Sequence, residues 1–597
     1  MKNIFKLRTL MFMLVFIMVC TQCSFAFGEA QEDSANAPGD EMKVSEEDGM
    51  DGVEATVLES DDDHTVIKFD VGKFDKRAVN IDDSEYFRLD CKGTSFVEEE
   101  GLPELPRICR SITIPFSADT QISVLSSEYT DYQDCPIAPS KGSLTRDVNP
   151  EDVPFTFGDV YQSEGWYPAA DELASLSEPF IMRELKAVTV RVDAFQYEPS
   201  TKTLRVYDSV TVEVKNSNGE ENSLFRMDDA APAPAHTTDA FEAVYQNLFI
   251  NYDGGQSMSA VKAPSEKGDM LIISYDKFSS AMTPFIQWKN SKGINTTLVD
   301  RSKVSSSNNP NEIKKYIKNY YNQHPNLVYV LLVGDYQQIS SPKYSSGVSD
   351  PEYTKVAGND DYPDIFVGRF SAESVADVET QVQRTIDFEK NGGNTADWYK
   401  TGVGIASDEG SNESDAEHMD NICSRLSDAG YTRLDKIYDP NATASQVTKS
   451  LNQGRGIINY CGHGAQTYWV TTRFSNSDVA ALQNQGKLPF IISVSCVSGK
   501  FQSGTCFAEA WLRSKDSSGN PVGAVGTYMS TVNQPWRPPM VGQDSIIDQL
   551  CNKTRTSFGG LCYTGASKML DNGTSSDIET FNTWTVFGDP SLQVIAD

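Results

Sequence analysis

Beyond Gly268 the chain alternates short apolar runs with amphipathic stretches, and no other feature limits its fold so strongly. Met270–Ser274, Asn295–Val299, Val328–Val333, Ile365–Val367, Val403–Ala406, Ile457–Tyr460, Phe490–Val494 and Ala524–Tyr528 read as strands. Helical patterns at Ser374–Glu389, Ser414–Ser427, Ala444–Asn452 and Cys506–Ser514 separate several of them. A strand that is apolar on both faces must be covered on both faces, so this alternation predicts an α/β block around a parallel sheet. Residues 268–597 are enough for two such units side by side. Chemistry in such a sheet belongs at the carboxyl ends of its strands, near a point where the strand order reverses.

The rhythm before this block is different. From about residue 65 to 216, short β-rich runs (Val66–Phe69, Ser111–Ile114, Gln121–Val124, Val188–Val192, Thr203–Val206, Thr211–Val214) are broken by Pro, Gly and Asp. Regular short strands predict a β-sandwich or similar all-β module. Ala230–Ala235 and Gly254–Lys267 read as connectors. Between Glu29 and Asp63 stand 14 acidic residues and one lysine with few large apolar side chains, a composition that predicts a leader without structure. At the start, Lys2, Lys6 and Arg8 precede apolar Met11–Cys20 and small Ala26, Gly28 and Ala30, the pattern of a secretory signal rather than a membrane span. The expected organisation is a signal at 1–30, an acidic leader at 31–64, a β-rich domain at 65–255, a linker at 256–267 and the α/β block at 268–597.

Charge narrows the function. With 51 basic against 84 acidic residues the formal charge is −33, which excludes the basic surface that nucleic acid or an anionic membrane requires. Removing Cys20 and Cys23 with the signal leaves nine of 11 cysteines, so at least one thiol stays unpaired.

Two strand ends carry reactive groups. Ile457–Tyr460 leads through Cys461-Gly462 to His463-Gly464, and Phe490–Val494 leads through Ser495 to Cys496. If these strands are neighbours, an imidazole and a thiol meet in the crevice, and the imidazole supplies the base that a thiol of ordinary pKa needs. The Gly464 and Cys496 amides then form a site for an oxyanion. A zinc site from Cys461, His463, Cys496 and Cys506 is the competing reading, but no paired C-x(2–4)-C spacing supports it.

Several blocks in order, Asn459-Tyr460-Cys461-Gly462-His463-Gly464, Val494-Ser495-Cys496-Val497-Ser498-Gly499, Cys506-Phe507-Ala508-Glu509-Ala510 and Thr583-Trp584-Thr585-Val586-Phe587-Gly588-Asp589-Pro590-Ser591, make the chain resemble the gingipain family of secreted cysteine endopeptidases. The resemblance runs from Gly268 to the end and implies a caspase-like α/β catalytic fold without an organic cofactor. It implies that Cys496 is the nucleophile and His463 the general base. Glu409 would orient the imidazole, with adjacent Asp408 as the alternative. Asp415 resembles the base of the S1 pocket in the arginine-specific members, with Trp536 and Met540 in its wall, so P1 arginine is expected. Cys461 departs from the threonine common at its position. Calcium is expected on Asp335, Asp360 and Asp364.

The N-terminal region resembles a propeptide, which implies a secreted zymogen inhibited by its own leader and acting on protein or peptide substrates. Arg226, Lys262 and Lys267 remain open as processing sites. The immunoglobulin-like and sorting modules that end many members are not expected. The rival is a catalytically silent binding or adhesion protein on the same scaffold, which the filled reactive positions disfavour.

Overall fold

The computed structural model describes residues 40–42, 50–218, 237–253, 267–391, 396–410, 413–554 and 556–594. The expected signal, residues 31–39 and 43–49 of the acidic leader, and the candidate processing sites Arg226 and Lys262 lie outside them. No helix among the described residues is long and apolar enough to cross a membrane.

The N-terminal region is built from antiparallel strands. One sheet orders Phe180–Met182, Leu185–Val192, Pro106–Ile114 and Ser95–Phe96, and Ala174–Leu176 pairs with Leu185–Val192 as well. A second orders Phe195–Glu198, Thr203–Asn218, His64–Val71 and Val53–Ser60, with Ala118–Tyr132 also on Thr203–Asn218. Their inner faces share one core in which Ile67, Phe69, Ile108, Ile112, Val190, Val210 and Val212 are buried, as period-two alternation requires. Two expectations are corrected. Thr203–Val206 and Thr211–Val214 are one strand, with register shifts between Tyr207 and Ser209 and between Thr211 and Val212. Val53–Ser60, assigned by composition to the unstructured leader, is a strand whose backbone pairs with His64–Val71. Ladder hydrogen bonds and the alternation of Val53, Ala55 and Val57 give it a place despite its acidic neighbours.

The α/β block is organised by one ten-stranded sheet. Its strands in chain order are β1 (Asp269–Ser274), β2 (Thr296–Asp300), β3 (Leu327–Val333), β4 (Phe366–Phe370), β5 (Thr401–Ala406), β6 (Arg433–Tyr438), β7 (Ile457–Cys461), β8 (Phe490–Val494), β9 (Gly526–Ser530) and β10 (Trp584–Phe587). The spatial order is β2-β1-β3-β4-β10-β9-β8-β7-β5-β6. Every neighbouring pair is parallel except β9 with β10. The two expected α/β units are therefore halves of one continuous sheet, fused where β10 runs parallel to β4 and antiparallel to β9. Every residue of β3 is buried, the outcome expected for an unbroken apolar strand with helices on both faces.

Four helices matter below: α1 (Asp239–Leu248), α2 (Asp415–Asp428), α3 (Pro538–Cys551) and α4 (Phe558–Leu570). The α1 helix follows the β-rich region but packs on α4 within the sheet's core, with Phe241 stacked 4.6 Å from Phe366. From the β-rich side, Arg183 is fully buried and donates to the carbonyls of Leu327, Asp364 and Pro325. Phe180 stacks 3.5 Å from Tyr362. All nine cysteines among the described residues are unpaired.

Candidate active site

Strands β7 and β8 are direct neighbours, and their last residues, Cys461 and Val494, face each other. The chain leaves both strands at the same edge and presents His463 two residues beyond one end and Cys496 two residues beyond the other. On the far side of β7 lies β5, and Glu409 follows its end. Glu409 Oε2 pairs with His463 Nε2, while Asp408 is exposed. The Trp536 indole meets the imidazole edge-on at 6.0 Å.

Cys496 is only 3% exposed. Burial pushes its thiol up to about 11. The amides of Gln534 and Gly464 and the Arg146 guanidinium pull in the opposite direction, and the Asp147 carboxylate adds to the rise. Gly464 has a packing reason: a Cβ there would lie 2.3 Å from the Cys496 carbonyl oxygen. Val497, just after the cysteine, has φ of +47°, a strained conformation for a β-branched residue. Its amide donates to Val532 O at 2.9 Å.

A second set of groups converges on Asp415. This residue opens α2 behind the N-cap Ser414, whose hydroxyl and backbone form a reciprocal capping box with Glu417. Asp415 is fully buried rather than solvated at a helix start. Its oxygens accept from Ser407 Oγ at 2.7 Å and Cys461 Sγ at 3.1 Å. They also accept from Arg146 Nη1 at 2.8 and 2.9 Å. Arg146 comes from the β-rich region. Its Nη2 donates to Trp536 O at 3.0 Å, and its guanidinium lies 4.6 Å from the centroid of the Trp536 ring.

The backbone around Arg146 pairs with the segment Gln534-Pro535-Trp536. Arg146 N–H donates to Gln534 O (2.8 Å), Trp536 N–H donates to Leu144 O (3.1 Å), and Thr145 bridges Pro535 in antiparallel fashion. The chain then reverses, because Val148 N–H donates to Thr145 O at 2.9 Å and Thr145 Oγ1 to Asp147 Oδ1 at 2.6 Å. Trp536 Nε1 holds the end of this turn through Val148 O at 3.1 Å. Met540 lines an adjoining cavity of about 570 Å³ together with Trp536, Glu413 and Asp544.

Sequence reasoning missed Arg146 and Ser407, and takes Gln534 only as part of the Asn533-Gln534-Pro535-Trp536 motif that resembles the pocket wall. A search of the β-rich region for a cation to match Asp415 would have included Arg146. Nothing local marks Ser407.

The calcium set is not brought together. Asp335 accepts its neighbour Tyr336's amide at 2.6 Å and faces Arg513 Nη2 at 3.4 Å. Asp360 accepts the amides of Ile181 and Tyr362, and Asp364 those of Arg183, Val356 and Ala357. Backbone amides occupy the lone pairs that a six- to eight-coordinate calcium requires. Among the described residues only Glu59, Asp61 and His64 bring three potential ligand atoms within 4.8 Å of one another. The residues therefore do not fit the expected calcium site. Nor do Cys461, His463, Cys496 and Cys506 gather as a zinc site: Cys461 bonds Asp415, and Cys506 caps the helix Phe507–Arg513.

The profile of Peptidase family C25 matches residues 263–595, and that of its propeptide, Propeptide_C25, matches residues 46–258. This chain belongs to peptidase family C25. It is thereby a cysteine-type endopeptidase that carries its family's propeptide. Gingipain R2 of Porphyromonas gingivalis is 36% identical over 511 residues, covering 83% of this chain and 68% of the relative. Gingipain R1 of the same organism is 36% identical over 510 residues, covering 83% of this chain and 50% of its own length. Lys-gingipain is 26% identical over 488 residues, which cover 77% of this chain and 27% of that relative. Among solved structures, the Arg-specific cysteine proteinase gingipain R (RgpB) matches with 38% identity and a TM-score of 0.54, covering 55% of this chain and 79% of that one. The complex of RgpB pro- and mature domains matches with 38% identity and a TM-score of 0.53, covering 54% and 79%.

Proposed function

We propose that this chain is the pro-form of a secreted endopeptidase that cleaves after arginine, and that Arg146 occupies the S1 pocket until the propeptide leaves. The carrying observation is the Arg146–Asp415 pair: a guanidinium against a buried carboxylate, flattened on an indole and paired through its own backbone to the pocket wall. A substrate arginine would repeat these contacts. A lysine ammonium is a single point donor and has no plane to stack, so it cannot engage Asp415, the Trp536 carbonyl and the indole together.

In the reaction, His463 takes the proton of Cys496 and the sulfur attacks the scissile carbonyl carbon. The carbonyl oxygen becomes an oxyanion that the Gly464 and Cys496 amides stabilise. His463 returns the proton to the leaving amine as the C–N bond breaks, leaving a thioester. Water, deprotonated by His463, then releases the acid and restores the thiol. Glu409 on Nε2 fixes the tautomer that leaves Nδ1 for these transfers and stabilises the imidazolium. Secretion rests on the signal pattern of residues 1–30.

The test is cleavage of arginyl and lysyl peptide amides by the processed full chain and by Cys496→Ala. Arginyl turnover should exceed lysyl turnover, and the alanine variant should fall by roughly five to six orders of magnitude. Turnover that survives in Cys496→Ala, or that prefers lysine, removes the proposal.

A further inference from the structure

The S1 carboxylate and the partner of the imidazole sit on one segment. Asp415 N–H donates to Glu409 O at 2.9 Å, so the backbone of one is tied to the backbone of the other. Between them Glu413 holds φ of +26°, a strained value for a residue with a side chain. Behind this segment, on α2, lies His418, fully buried. Its Nδ1 is 3.3 Å from Glu413 Oε2 and 3.8 Å from Asp544 Oδ2 of α3. Its Nε2 is 3.1 Å from Gln543 Oε1, and Gln543 Nε2 donates at 3.1 Å to Asn459 Oδ1 on β7.

The Gln543 amide nitrogen donates to Asn459, which leaves its oxygen as an acceptor toward His418. The other ring nitrogen faces carboxylates, which also only accept. Nδ1 lies against both carboxylates at ion-pair distance without a formed hydrogen bond, and their charge favours the doubly protonated ring, the imidazolium. The groups facing it are Glu413 from the segment and Asp544 from α3. Asp544 is shared with Arg425, which also pairs with Asp548. These carboxylates outweigh burial and push His418 up to about 9. Asn421 donates to the second oxygen of Glu413 at 2.7 Å.

We propose that His418 is a positioning residue for the peptidase reaction: its imidazolium clamps the segment bearing Glu409 and Asp415 to the strand that presents His463, aligning the S1 carboxylate and the catalytic acid together. The clamp runs Glu413–His418–Gln543–Asn459, and Asn459 stands four residues before His463. The inference rests on the assignment of Asp415 and Glu409 given above, and goes beyond it in naming the group that holds them. The ring touches neither substrate nor reacting atoms.

The test compares processed wild type with His418→Asn and Glu413→Gln on an arginyl amide, with rates expressed per titratable Cys496 thiol so that a misfolded fraction does not count. His418→Asn should lower kcat/KM about 30-fold, with KM rising through Asp415 and kcat falling through Glu409. Glu413→Gln, which keeps the packing and removes one charge, should leave the rate near pH 6.5 within about threefold. Its alkaline loss of activity should begin about one pH unit lower than in wild type, because the imidazolium loses a partner. Unchanged KM and kcat per thiol in His418→Asn, or an alkaline limb in Glu413→Gln that coincides with wild type, overturns the proposal. Should His418→Asn fail to fold, the limb of Glu413→Gln decides alone. A wild type without arginyl turnover would instead fail the proposed function, so the two failures are distinct.

Discussion

Arg146 and Asp415 are 269 residues apart in the chain, yet Arg146 Nη1 stands 2.8 and 2.9 Å from the two carboxylate oxygens, with both side chains fully buried. Truncating one member of such a pair strands the other charge, at about 3–5 kcal/mol. The pair therefore joins the stability of the propeptide interface to the state of the pocket, and four expectations follow from its geometry.

In the uncleaved full chain, Arg146→Ala should vacate the pocket and strand Asp415. Hydrolysis of a small arginyl amide by the intact pro-form should rise at least tenfold over wild type. Arg146→Lys should fall between the two, since an ammonium satisfies Asp415 but loses the Trp536 carbonyl and the indole face. A silent Arg146→Ala pro-form would show that other contacts hold latency.

The Arg146–Asp147 bond sits in a turn closed by Thr145 O with Val148 N–H and by Thr145 Oγ1 with Asp147. A substrate must run extended past the sulfur, so the turn protects this bond. Asp147→Ala removes the side-chain closure and the carboxylate that disfavours the Cys496 thiolate. A new N-terminus at position 147 should appear by mass spectrometry during incubation of that variant, and should be absent when Cys496→Ala is added to it.

Burial holds the Cys496 thiol near 11 in the pro-form. Three pH units below that value only about 0.1% is thiolate. Iodoacetamide labelling of Cys496 in the pro-form should be slow at pH 8 and accelerate about tenfold per pH unit up to about pH 11. Loss of the propeptide removes Asp147, which raises the thiol, together with Arg146, which lowers it by more, so the expected rise in labelling at pH 8, by about two orders of magnitude, comes from exposure of the sulfur alone. Equal rates before and after processing would contradict the assigned cause.

Asp415→Asn in the processed enzyme keeps the shape of the pocket and removes its charge. Arginyl kcat/KM should drop by roughly two to three orders of magnitude, the factor corresponding to an unpaired buried guanidinium. Hydrolysis of an activated ester with a neutral P1 residue should change little. An equal loss on both substrates would make Asp415 a structural residue.

Much of the peptidase block was legible before any coordinates. All eight strand candidates fall on strands of the sheet; seven are buried almost throughout and carry that burial in their own composition, while the eighth, β2, is a half-exposed edge strand. The two missed strands show the limit. β6 is an edge strand, Arg433-Leu434-Asp435-Lys436-Ile437-Tyr438, and its exposed positions break the apolar run. β10 was noticed only as part of a motif, and its central place between β4 and β9 has no local signature. His463 and Cys496 were found because each ends an apolar strand beside glycine or serine. Glu409 is preferred over Asp408 in the sequence only through the family resemblance, since one peptide unit decides which carboxylate turns inward.

What the sequence by itself determined was the alternation of apolar and polar residues, hence a layered α/β block with a histidine and a cysteine at the ends of two of its strands. These are properties of neighbouring residues, and period and burial translate them directly. Tertiary structure alone decided that Asp415 meets an arginine from the propeptide, that Asp360 and Asp364 accept backbone amides, and that Asp335 lies against Arg513. It alone carried Glu413 to His418 and, through Gln543, to Asn459. Each of these depends on which distant group arrives to fill a carboxylate's lone pairs, and a side chain's chemistry specifies the kind of partner it needs without specifying its address.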